Sequence, residues 1–567
     1  MRERCHRSRV ALGAGLVAGV AALAFGKART FGFIYDDYWT VVGNTDLDKP
    51  LRELMLAAAS GRTVEWNMPD ATRPMMGWSL WFDRRLFGLS PQGYHLHSLA
   101  LYALASVFAF LLALGVLRRF WPALAAGLVF AALPIHVEVA AAVNYREDLI
   151  AAVGVLGAAA IAFWPLRVDA RWRALGAGAL WAYALLGKES ALIAPALVAT
   201  LAIVRRPNLG SAVGPLPPSL VFGSIAALWL NWRFGLSRLG EQIPTASYAS
   251  WTERVLRTAR FETLALLQSA WPFGPRPERD PLGPAHAAWL LALGAIIAAV
   301  VWLARRRRTR PLAAAAAFAL VSPLFTSPLL APRNELADRY WFIGSFAACL
   351  AVGWVLREAG PRRSSVLALA LLVGGCCVAS WKASSVWASE VDLWTFIAQT
   401  APASPRSWTG LSRVHRLAEQ EELAERTLVR ALALKPDHLP AQAARVLGSL
   451  WFGKLDAARA ELRAIGERDG LHGDALRIVR RCSALPSAEA AQLCVRRTLP
   501  TGMILGDAER LRAVSERLLS EPLPPGSAPS LEERRPSVEA SASTRVDAGV
   551  DAGLPALRRA TVGAGHQ

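Results

Sequence analysis

The chain has 567 residues, a formal net charge of +19, a hydrophobic fraction of 53% and a mean hydropathy of +0.29. These values are typical of a polytopic membrane protein and argue against a soluble globular protein. A large positive charge would also suit a nucleic-acid-binding protein, but here the arginines cluster at the ends of apolar runs, as in Arg118–Arg119 and Arg305 to Arg308. Because that placement is the cytoplasmic-loop bias that orients membrane proteins, we expect no nucleic-acid partner.

The first apolar run follows a basic amino terminus, MRERCHRSRV. The run is longer than a typical signal-peptide core and has no convincing cleavage site, so we predict an uncleaved anchor that spans the membrane over about residues 10–26. Residues 27–93 then form the first extracytoplasmic loop, which carries the acidic motif FIYDDYWTVVGN with Asp36 and Asp37. A second span over residues 95–117 returns the chain to the cytoplasmic side.

Further apolar runs continue this alternation through the membrane. The predicted spans lie at residues 121–137, 149–165, 173–187, 190–204, 215–232, 286–304, 311–330, 341–356 and 364–381. The run at 261–273 is short for a span, and a full crossing there would place Arg305 to Arg308 outside, so we predict a re-entrant or interfacial segment. The membrane module of residues 1–382 therefore makes about eleven crossings, with the N-terminus inside and the C-terminal domain outside.

The composition changes near residue 383 to Ala, Leu, Glu and Arg at helical spacing. Six residues occupy the signature positions of one tetratricopeptide repeat of about 34 residues: Trp408, Leu411, Ala424, Leu428, Ala431 and Pro436. A generic amphipathic hairpin is the alternative. We divide this part into tetratricopeptide-like helical repeats, a helical extension and a disordered tail at residues 383–470, 471–519 and 520–567. The predicted fold class is thus all-α, a polytopic helical membrane protein with a small C-terminal helical domain. Cys482 and Cys494 are close enough in sequence to pair in an oxidising compartment, but the sequence leaves open whether they do.

In this topology the polar groups near the spans collect on the outer face. They are Asp36, Asp37, Asn44, Arg73, His95, His97, His136, Glu138, Arg146, Glu147, Asp148, Lys188, Glu189, Asp338 and Arg339. Because ionisable groups near the hydrocarbon are costly, several on one face indicate a shared cavity. Some have ordinary alternatives: Lys188–Glu189 suits a snorkelling pair, and Arg339 suits an interface anchor. His136 and Glu138 have no third ligand at a metal-site spacing, which argues against structural zinc.

The acidic pair is harder to explain as structure alone, because a helix cap normally needs one acid and not two. Asp36 and Asp37 suit general-base activation of an acceptor hydroxyl, with nearby cations holding a phosphate leaving group. They would equally suit ligation of a divalent cation, and we favour the arrangement without metal or other cofactor. Since adjacent residues of an extended chain point apart, we expect different roles, with Asp36 slightly favoured as the base.

Six ordered blocks, spread over about 380 residues, resemble the GT-C glycosyltransferases, and among them the transmembrane O-mannosyltransferases with tetratricopeptide repeats and their bacterial relatives. FIYDDYWTVVGN is similar to the family's first-loop acidic motif, and TRPMMGWSLWFDRRLFGLSPQGYHLHSLALY to its RPL…G…P…YH…N stretch. LPIHVEVAAAVNYREDLIAA, ALLGKES and ADRYWFIGSF resemble three later elements. VWASEVDLWTFIAQTAPASPRSWTGLSRV resembles the junction into the repeats.

The resemblance implies an inverting transferase in a bacterial inner membrane that moves a mannose-like sugar from a polyprenyl-phosphate donor to a hydroxyl on the extracytoplasmic face. It implies that Asp36 or Asp37 is the catalytic base. By position, the cavity-lining residues, whose cations are candidates for the donor phosphate, are Arg73, His136, Glu138, Arg146, Asp148, Lys188, Glu189 and Arg339. The sequence departs from the family pattern at His97, Asn144–Tyr145 and Asp338.

The partners expected are the lipid-linked sugar donor, a protein, lipid or glycan acceptor, membrane lipids, and a protein bound through the repeats. The strongest alternative of another class is a non-catalytic membrane scaffold whose repeats recruit partners. A transporter is a third reading, but the spans show no paired Gly/Pro interruptions in matching halves and the acids collect at one face.

Overall fold

The computed structural model describes residues 2–59, 73–163, 169–205, 250–270, 274–280, 286–327, 337–360, 362–465, 479–498 and 507–523, together with five residues between 223 and 229. All regular secondary structure in these parts is helical. The predicted span at 215–232 lies mostly outside the described residues, as does the tail beyond residue 523.

The N-terminal helices follow the apolar runs of the sequence. They are α1 (Arg2–Phe25), α2 (Leu51–Ala59), α3 (Pro74–Phe87), α4 (Pro91–Leu117), α5 (Phe120–Ala132), α6 (Val137–Ala141), α7 (Arg146–Phe163), α8 (Ala170–Leu185), α9 (Ala194–Arg205), α10 (Trp251–Ala270), α11 (Ala288–Arg305), α12 (Arg310–Val321), α13 (Phe346–Ala359) and α14 (Arg363–Ser384). α3 and α4 each begin with a proline. Proline lacks a backbone N–H, and at the first helical position that group would have no partner within the helix. A left-handed Arg118, with a φ of 56°, ends α4 and allows α5 to begin at once.

Four helical segments in the described part are long and apolar enough to cross a membrane: Arg7–Thr30, Pro91–Leu117, Ala288–Arg305 and Arg363–Trp387. Phe120–Ala132 and Pro134–Ala141 together qualify as a fifth, bent by 49°. The chain is therefore an all-α membrane protein. Helices that do not meet both the length and the composition needed to cross a membrane stand at five of the other predicted spans, so the path of about eleven crossings stays a prediction.

The membrane helices pack closely where glycines face large side chains. A Cβ atom added at Gly127 of α5 would lie 2.6 Å from the Cβ atom of Phe110 and 3.0 Å from Val17. This glycine therefore lets α1, α4 and α5 meet in one core. Small residues have this role in membranes, where lipid provides little hydrophobic drive for helices to associate.

The C-terminal helices form antiparallel neighbours. They are α15 (Glu390–Thr400), α16 (Pro405–Leu417), α17 (Glu421–Leu434), α18 (Leu439–Trp451), α19 (Leu455–Ile465), α20 (Ala488–Thr498) and α21 (Ala508–Ser520). Trp408, Leu411 and Leu428, from the predicted repeat positions, are buried between α16 and α17. Cys482 and Cys494 form a disulfide. The domain boundaries and the assignment of these helices to tetratricopeptide repeats stay predictions.

Candidate functional site

The first loop holds its two acids in different surroundings. Asp37 is fully buried, and its carboxylate accepts hydrogen bonds from the backbone N–H groups of Asn144 at 2.6 Å and Ile34 at 3.3 Å. Burial raises the pKa of Asp37 to about 7, although these two N–H groups oppose the shift. Asp37 thus ties the first loop to the turn that precedes α7.

Asp36 is partly exposed and lies among guanidinium groups. Burial raises the pKa of Asp36 above its ordinary value, and the positive charges of Arg406, Arg413 and Arg339 offset part of that shift. No ion pair within 4.0 Å joins its carboxylate to a described residue. The two acids therefore lie in different surroundings, and their separate roles stay a prediction. The chain at Asp36 and Asp37 is a turn that leads into a helix, and not the extended segment expected from the sequence.

Glu138 and Arg339, 201 residues apart in sequence, are joined by an ion pair and by a backbone hydrogen bond. The backbone N–H of Arg339 donates to Glu138 Oε2 at 3.1 Å, and its Nη1 donates to Oε1. The guanidinium lies over the ring of Tyr145, 4.5 Å from its centroid, and 5.0 Å from that of Tyr340. Its Nε and Nη2 make no hydrogen bond to any described residue. Glu138 thus orients the Arg339 guanidinium through Nη1, and the edge formed by Nε and Nη2 is available to bind a ligand.

A second network joins three more loops. Arg73, just before α3, donates to Glu189 at 2.6 and 3.1 Å and to Glu147 at 2.6 Å. Lys188 Nζ lies 2.9 Å from Glu147 and 2.7 Å from Asp148. Lys188 is only 4% exposed, so it does not snorkel to solvent. Burial lowers the pKa of Lys188, but the charges of Asp148 and Glu147 outweigh burial and raise it.

The two networks interact electrostatically. Burial lowers the pKa of Arg339, but the negative charge of Glu138 and, to a smaller extent, that of Asp148 raise it well above its ordinary value. The structure therefore brings most of the predicted site residues into one cluster. They are Asp36, Asp37, Arg73, Glu138, Asp148, Lys188, Glu189 and Arg339.

Two predicted residues are fully buried and form their hydrogen bonds to side chains and carbonyls outside this cluster. His136 is fully buried, with Nδ1 2.9 Å from the Tyr102 hydroxyl and Nε2 2.8 Å from Ser345 Oγ. Arg146 is also fully buried, with Nη1 2.5 Å from Asp83 Oδ2 and further hydrogen bonds to the Tyr94 carbonyl and Ser98. A role of His136 or Arg146 in lining the cavity stays a prediction.

Sequence reasoning missed the charged groups that the C-terminal helices bring to the first loop. Arg406 donates to the Tyr35 hydroxyl and, at 2.6 Å, to Glu278. Arg413 Nη2 donates to Glu390 Oε1 at 2.7 Å. The available signal was the spacing of Arg406 and Arg413, which places both on one face of an otherwise amphipathic helix, but spacing alone names no partner.

The segment 274–280 is hydrogen-bonded to two parts of the chain near the site. Asp338 accepts from the backbone N–H of Arg276 at 2.7 Å and from Arg279 at 2.6 Å. Asp280 accepts from the backbone N–H of Ala403 at 2.6 Å. Burial raises the pKa of Asp338 to about 6, and Arg279 opposes the shift. This segment therefore connects the turn that carries Arg339 with the start of α16.

An apolar cavity of about 590 Å³ runs along α13, which begins shortly after Arg339. Its lining comes from α10 to α14 and includes Leu266, Ala319, Ala347 and Leu372. The cavity has the chemistry of a lipid tail.

These observations define the class: a helical membrane protein in which loop ends gather a charged cluster around a first-loop acid, beside an apolar cavity. No family model and no solved structure matches the chain. It is similar to the protein O-mannosyl-transferase Tmtc1 of Drosophila melanogaster, 32% identical over 194 residues that cover 32% of this chain and 22% of that protein.

Two other relatives agree. Protein O-mannosyl-transferase Tmtc2 of Drosophila melanogaster is 30% identical over 222 residues, 36% of this chain and 23% of that protein. Protein O-mannosyl-transferase TMTC1 of Mus musculus is 28% identical over 144 residues, 24% of this chain and 15% of that protein. The resemblance predicted from the motifs is thus confirmed, and the chain spans less than a quarter of the length of these relatives.

Proposed function

We propose that this protein is a membrane-embedded glycosyltransferase that moves a mannose-like sugar from a polyprenyl-phosphate donor to an acceptor hydroxyl. One observation carries the proposal: the partly exposed Asp36 lies in the electrostatic field of Arg339, whose Nε and Nη2 make no hydrogen bond to a described residue. The similarity of the chain to protein O-mannosyl-transferases supports it. The acceptor hydroxyl belongs to a protein, a lipid or a glycan.

In the proposed reaction the acceptor oxygen attacks the anomeric carbon of the donor sugar with inversion. The bond from that carbon to the phosphate oxygen breaks, and polyprenyl phosphate leaves with the electron pair. Asp36 takes the proton of the acceptor hydroxyl, and its raised pKa favours that transfer. Asp37 is the positioning residue, because its carboxylate is occupied by two backbone N–H groups.

We assign the donor phosphate to Arg339. Its Nε and Nη2 make no hydrogen bond to a described residue, whereas Glu138 fixes its other edge. A guanidinium offers paired donors that match phosphate oxygens. Arg73 and Lys188 already bind carboxylates, so they hold the surrounding loops in place. The proposed mechanism needs no metal ion.

The apolar cavity along α13 accommodates the polyprenyl chain. It begins near Ala347, close to the turn that carries Arg339, and continues to Leu356 at the other end of α13. A lipid phosphate at Arg339 would therefore have its tail beside an apolar wall.

We propose that the site faces the extracytoplasmic side of a bacterial inner membrane and that the N-terminus is cytoplasmic. The first loop touches the C-terminal helices through Tyr35 and Glu390, so both lie on the same side. The opposite helix ends carry the basic turn at Arg305 to Arg308, and Arg308 pairs with Glu358. Basic clusters favour the cytoplasmic side, and the disulfide suits an oxidising compartment. A path of about eleven crossings would place the N-terminus on the cytoplasmic side and the C-terminal helices on the extracytoplasmic side.

The C-terminal helices would then be tetratricopeptide-like repeats outside the membrane, where they would bind a protein partner. A scaffold without catalysis would use the same helices, but it would have no need for Asp36 beside Arg339.

The test is transfer of labelled sugar from polyprenyl-phosphate mannose in membranes that contain the full chain. We expect Asp36→Asn to lower the rate by about 10²–10⁴-fold, the usual contribution of a general base. Asp48→Asn is the matched control, because Asp48 is an exposed acid of the same loop that pairs with Arg84. A folded Asp36→Asn protein with wild-type transfer would overturn the catalytic assignment, and a wild type without transfer would favour the scaffold.

A further inference from the structure

The residue before the proposed base has a strained backbone. Tyr35 has a φ of 52°, in the left-handed region that favours glycine. A non-glycine residue keeps this conformation only where its surroundings hold it. Because Asp36 follows directly, the conformation of Tyr35 sets the direction of the Asp36 side chain.

The groups that hold Tyr35 come from helices more than 350 residues later in sequence. The backbone N–H of Tyr35 donates to Glu390 Oε1 at 2.5 Å, across a separation of 355 residues. Glu390 is fully buried; its Oε1 also accepts from Arg413 at 2.7 Å and its Oε2 from Trp394 at 2.9 Å. The Tyr35 ring lies 5.7 Å from that of Trp394, with Arg406 on its face at 5.5 Å.

A second contact lies on the other side of the two acids. Trp39 packs against the apolar core that α18 and α19 share with Cys482. The acidic pair is therefore bracketed by Tyr35 and Trp39, and both bracketing residues rest on the C-terminal helices.

The packing continues across the predicted boundary near residue 382. One buried apolar cluster contains Phe25 of α1 together with Trp387, Trp394 and Trp408. Lys27, after α1, donates to Ser385 at 2.6 Å. The C-terminal helices are thus packed onto the membrane helices and not tethered beside them.

We propose that α15 and α16 clamp the first loop, with Glu390 as the positioning residue that holds Tyr35 in its left-handed conformation and so directs Asp36 toward the acceptor hydroxyl. The C-terminal helical region is then part of the transferase site, in addition to any surface that it offers to partners. This inference rests on the proposed transferase function.

The first test compares Glu390→Ala and Glu390→Gln in the full chain. Alanine removes the acceptor of the Tyr35 N–H, whereas glutamine keeps an oxygen in its place. We expect Glu390→Ala to lower kcat by about tenfold to hundredfold, because a misplaced catalytic group slows the chemical step, with the KM for the donor unchanged. Glu390→Gln should recover part of the loss. A wild-type kcat in folded Glu390→Ala protein would overturn the clamp.

A double-variant cycle separates positioning from general stability. Asparagine tolerates the left-handed region, so Tyr35→Asn should reduce the dependence of kcat on Glu390. We expect the fold-loss from Glu390→Ala to be smaller in the Tyr35→Asn background. Equal losses in both backgrounds would contradict the clamp. Glu425→Ala is the matched control, since it breaks an ion pair with Arg445 in the same helical region, and it should leave kcat unchanged.

A readout without catalysis distinguishes failure of the clamp from failure of the proposed function. In Glu390→Ala the amide hydrogens of the first loop should exchange with deuterium about tenfold to hundredfold faster, as expected when a hydrogen bond to a charged acceptor is lost. Faster exchange in a chain without transferase activity would uphold the clamp and reject the function. Unchanged exchange would reject the clamp whatever the activity.

Discussion

Replacing Asp83 by asparagine should destabilise the protein strongly, because it leaves a charged arginine buried without a counter-ion. Asp83 and Arg146 are both fully buried, with Arg146 Nη1 2.5 Å from Asp83 Oδ2. At an effective dielectric constant of about 20, unit charges about 4 Å apart attract by about 4 kcal/mol. Removal of one partner from a buried pair costs about 3–5 kcal/mol.

This loss of stability is large compared with a typical free energy of unfolding of about 5–15 kcal/mol. The assay is thermal and denaturant unfolding of the purified chain in detergent. Glu358→Gln provides the control, because it breaks the exposed pair with Arg308 and should cost about 0–1 kcal/mol.

The double variant Asp83→Asn with Arg146→Gln removes both charges together. We expect its stability to return to within about 1 kcal/mol of the wild type, because a buried ion pair adds little over a neutral pair. We also expect wild-type transfer per folded molecule, since Arg146 is fully buried and its donors are used by Asp83, Ser98 and the Tyr94 carbonyl. An Asp83→Asn protein as stable as the wild type would refute the stabilising role of the buried pair. A folded double variant without transfer would place Arg146 at the substrate.

Three further outcomes test other parts of the structure. Arg339→Lys keeps the positive charge but removes the two unused donors, so kcat/KM for the donor should fall by about tenfold to hundredfold in steady-state assays; an unchanged value would exclude the phosphate assignment. Because burial raises the pKa of Asp37 to about 7 from 3.8, the folded state holds that proton more tightly, and its stabilising contribution is complete below about pH 4 and lost as the pH rises through 7. The thermal midpoint of the wild type should therefore fall relative to Asp37→Asn between about pH 5 and pH 8, and a constant difference would contradict the raised pKa. Reduction of the Cys482–Cys494 disulfide, which links residues 12 apart, should cost about 3 kcal/mol and make the nearby helices sensitive to protease; identical digestion with and without reductant would refute this.

The apolar helices could be predicted closely from the sequence. The runs at 97–117 and 287–304 correspond to α4 and α11, because uncharged stretches near the bilayer length have few other structures open to them. Residues 261–270 of the run at 261–273 belong to the longer α10, Trp251–Ala270, and the last three lie outside the described residues. There the helical period continues through charged residues, TERVLRTAR, which a search for apolar runs does not register.

The site was predictable as a collection of charges but not as a set of partners. Ionisable side chains beside lipid carry a high free-energy cost, and this indicated that they share a cavity. In the structure most of them lie in one cluster joined by ion pairs. The pairing of Glu138 with Arg339 and of Tyr35 with Glu390 depends on contacts 201 and 355 residues apart. Local patterns do not encode such contacts, since each chain segment alone satisfies its own helical period. His136 shows the converse, a polar residue in a motif that proves to be hydrogen-bonded inside the core.

The contact between Tyr35 and Glu390 also determines when, during synthesis of the chain, the first loop can reach its final structure. The ribosome releases the first loop 355 residues before the glutamate that holds it, and N-terminal parts of a chain generally fold first. Throughout membrane insertion the acidic pair is therefore present on a loop without its support. The loop acquires its final shape only when α15 and α16 have emerged and packed, so a chain that ends prematurely, or a nascent chain still on the ribosome, carries the acids but not their arrangement.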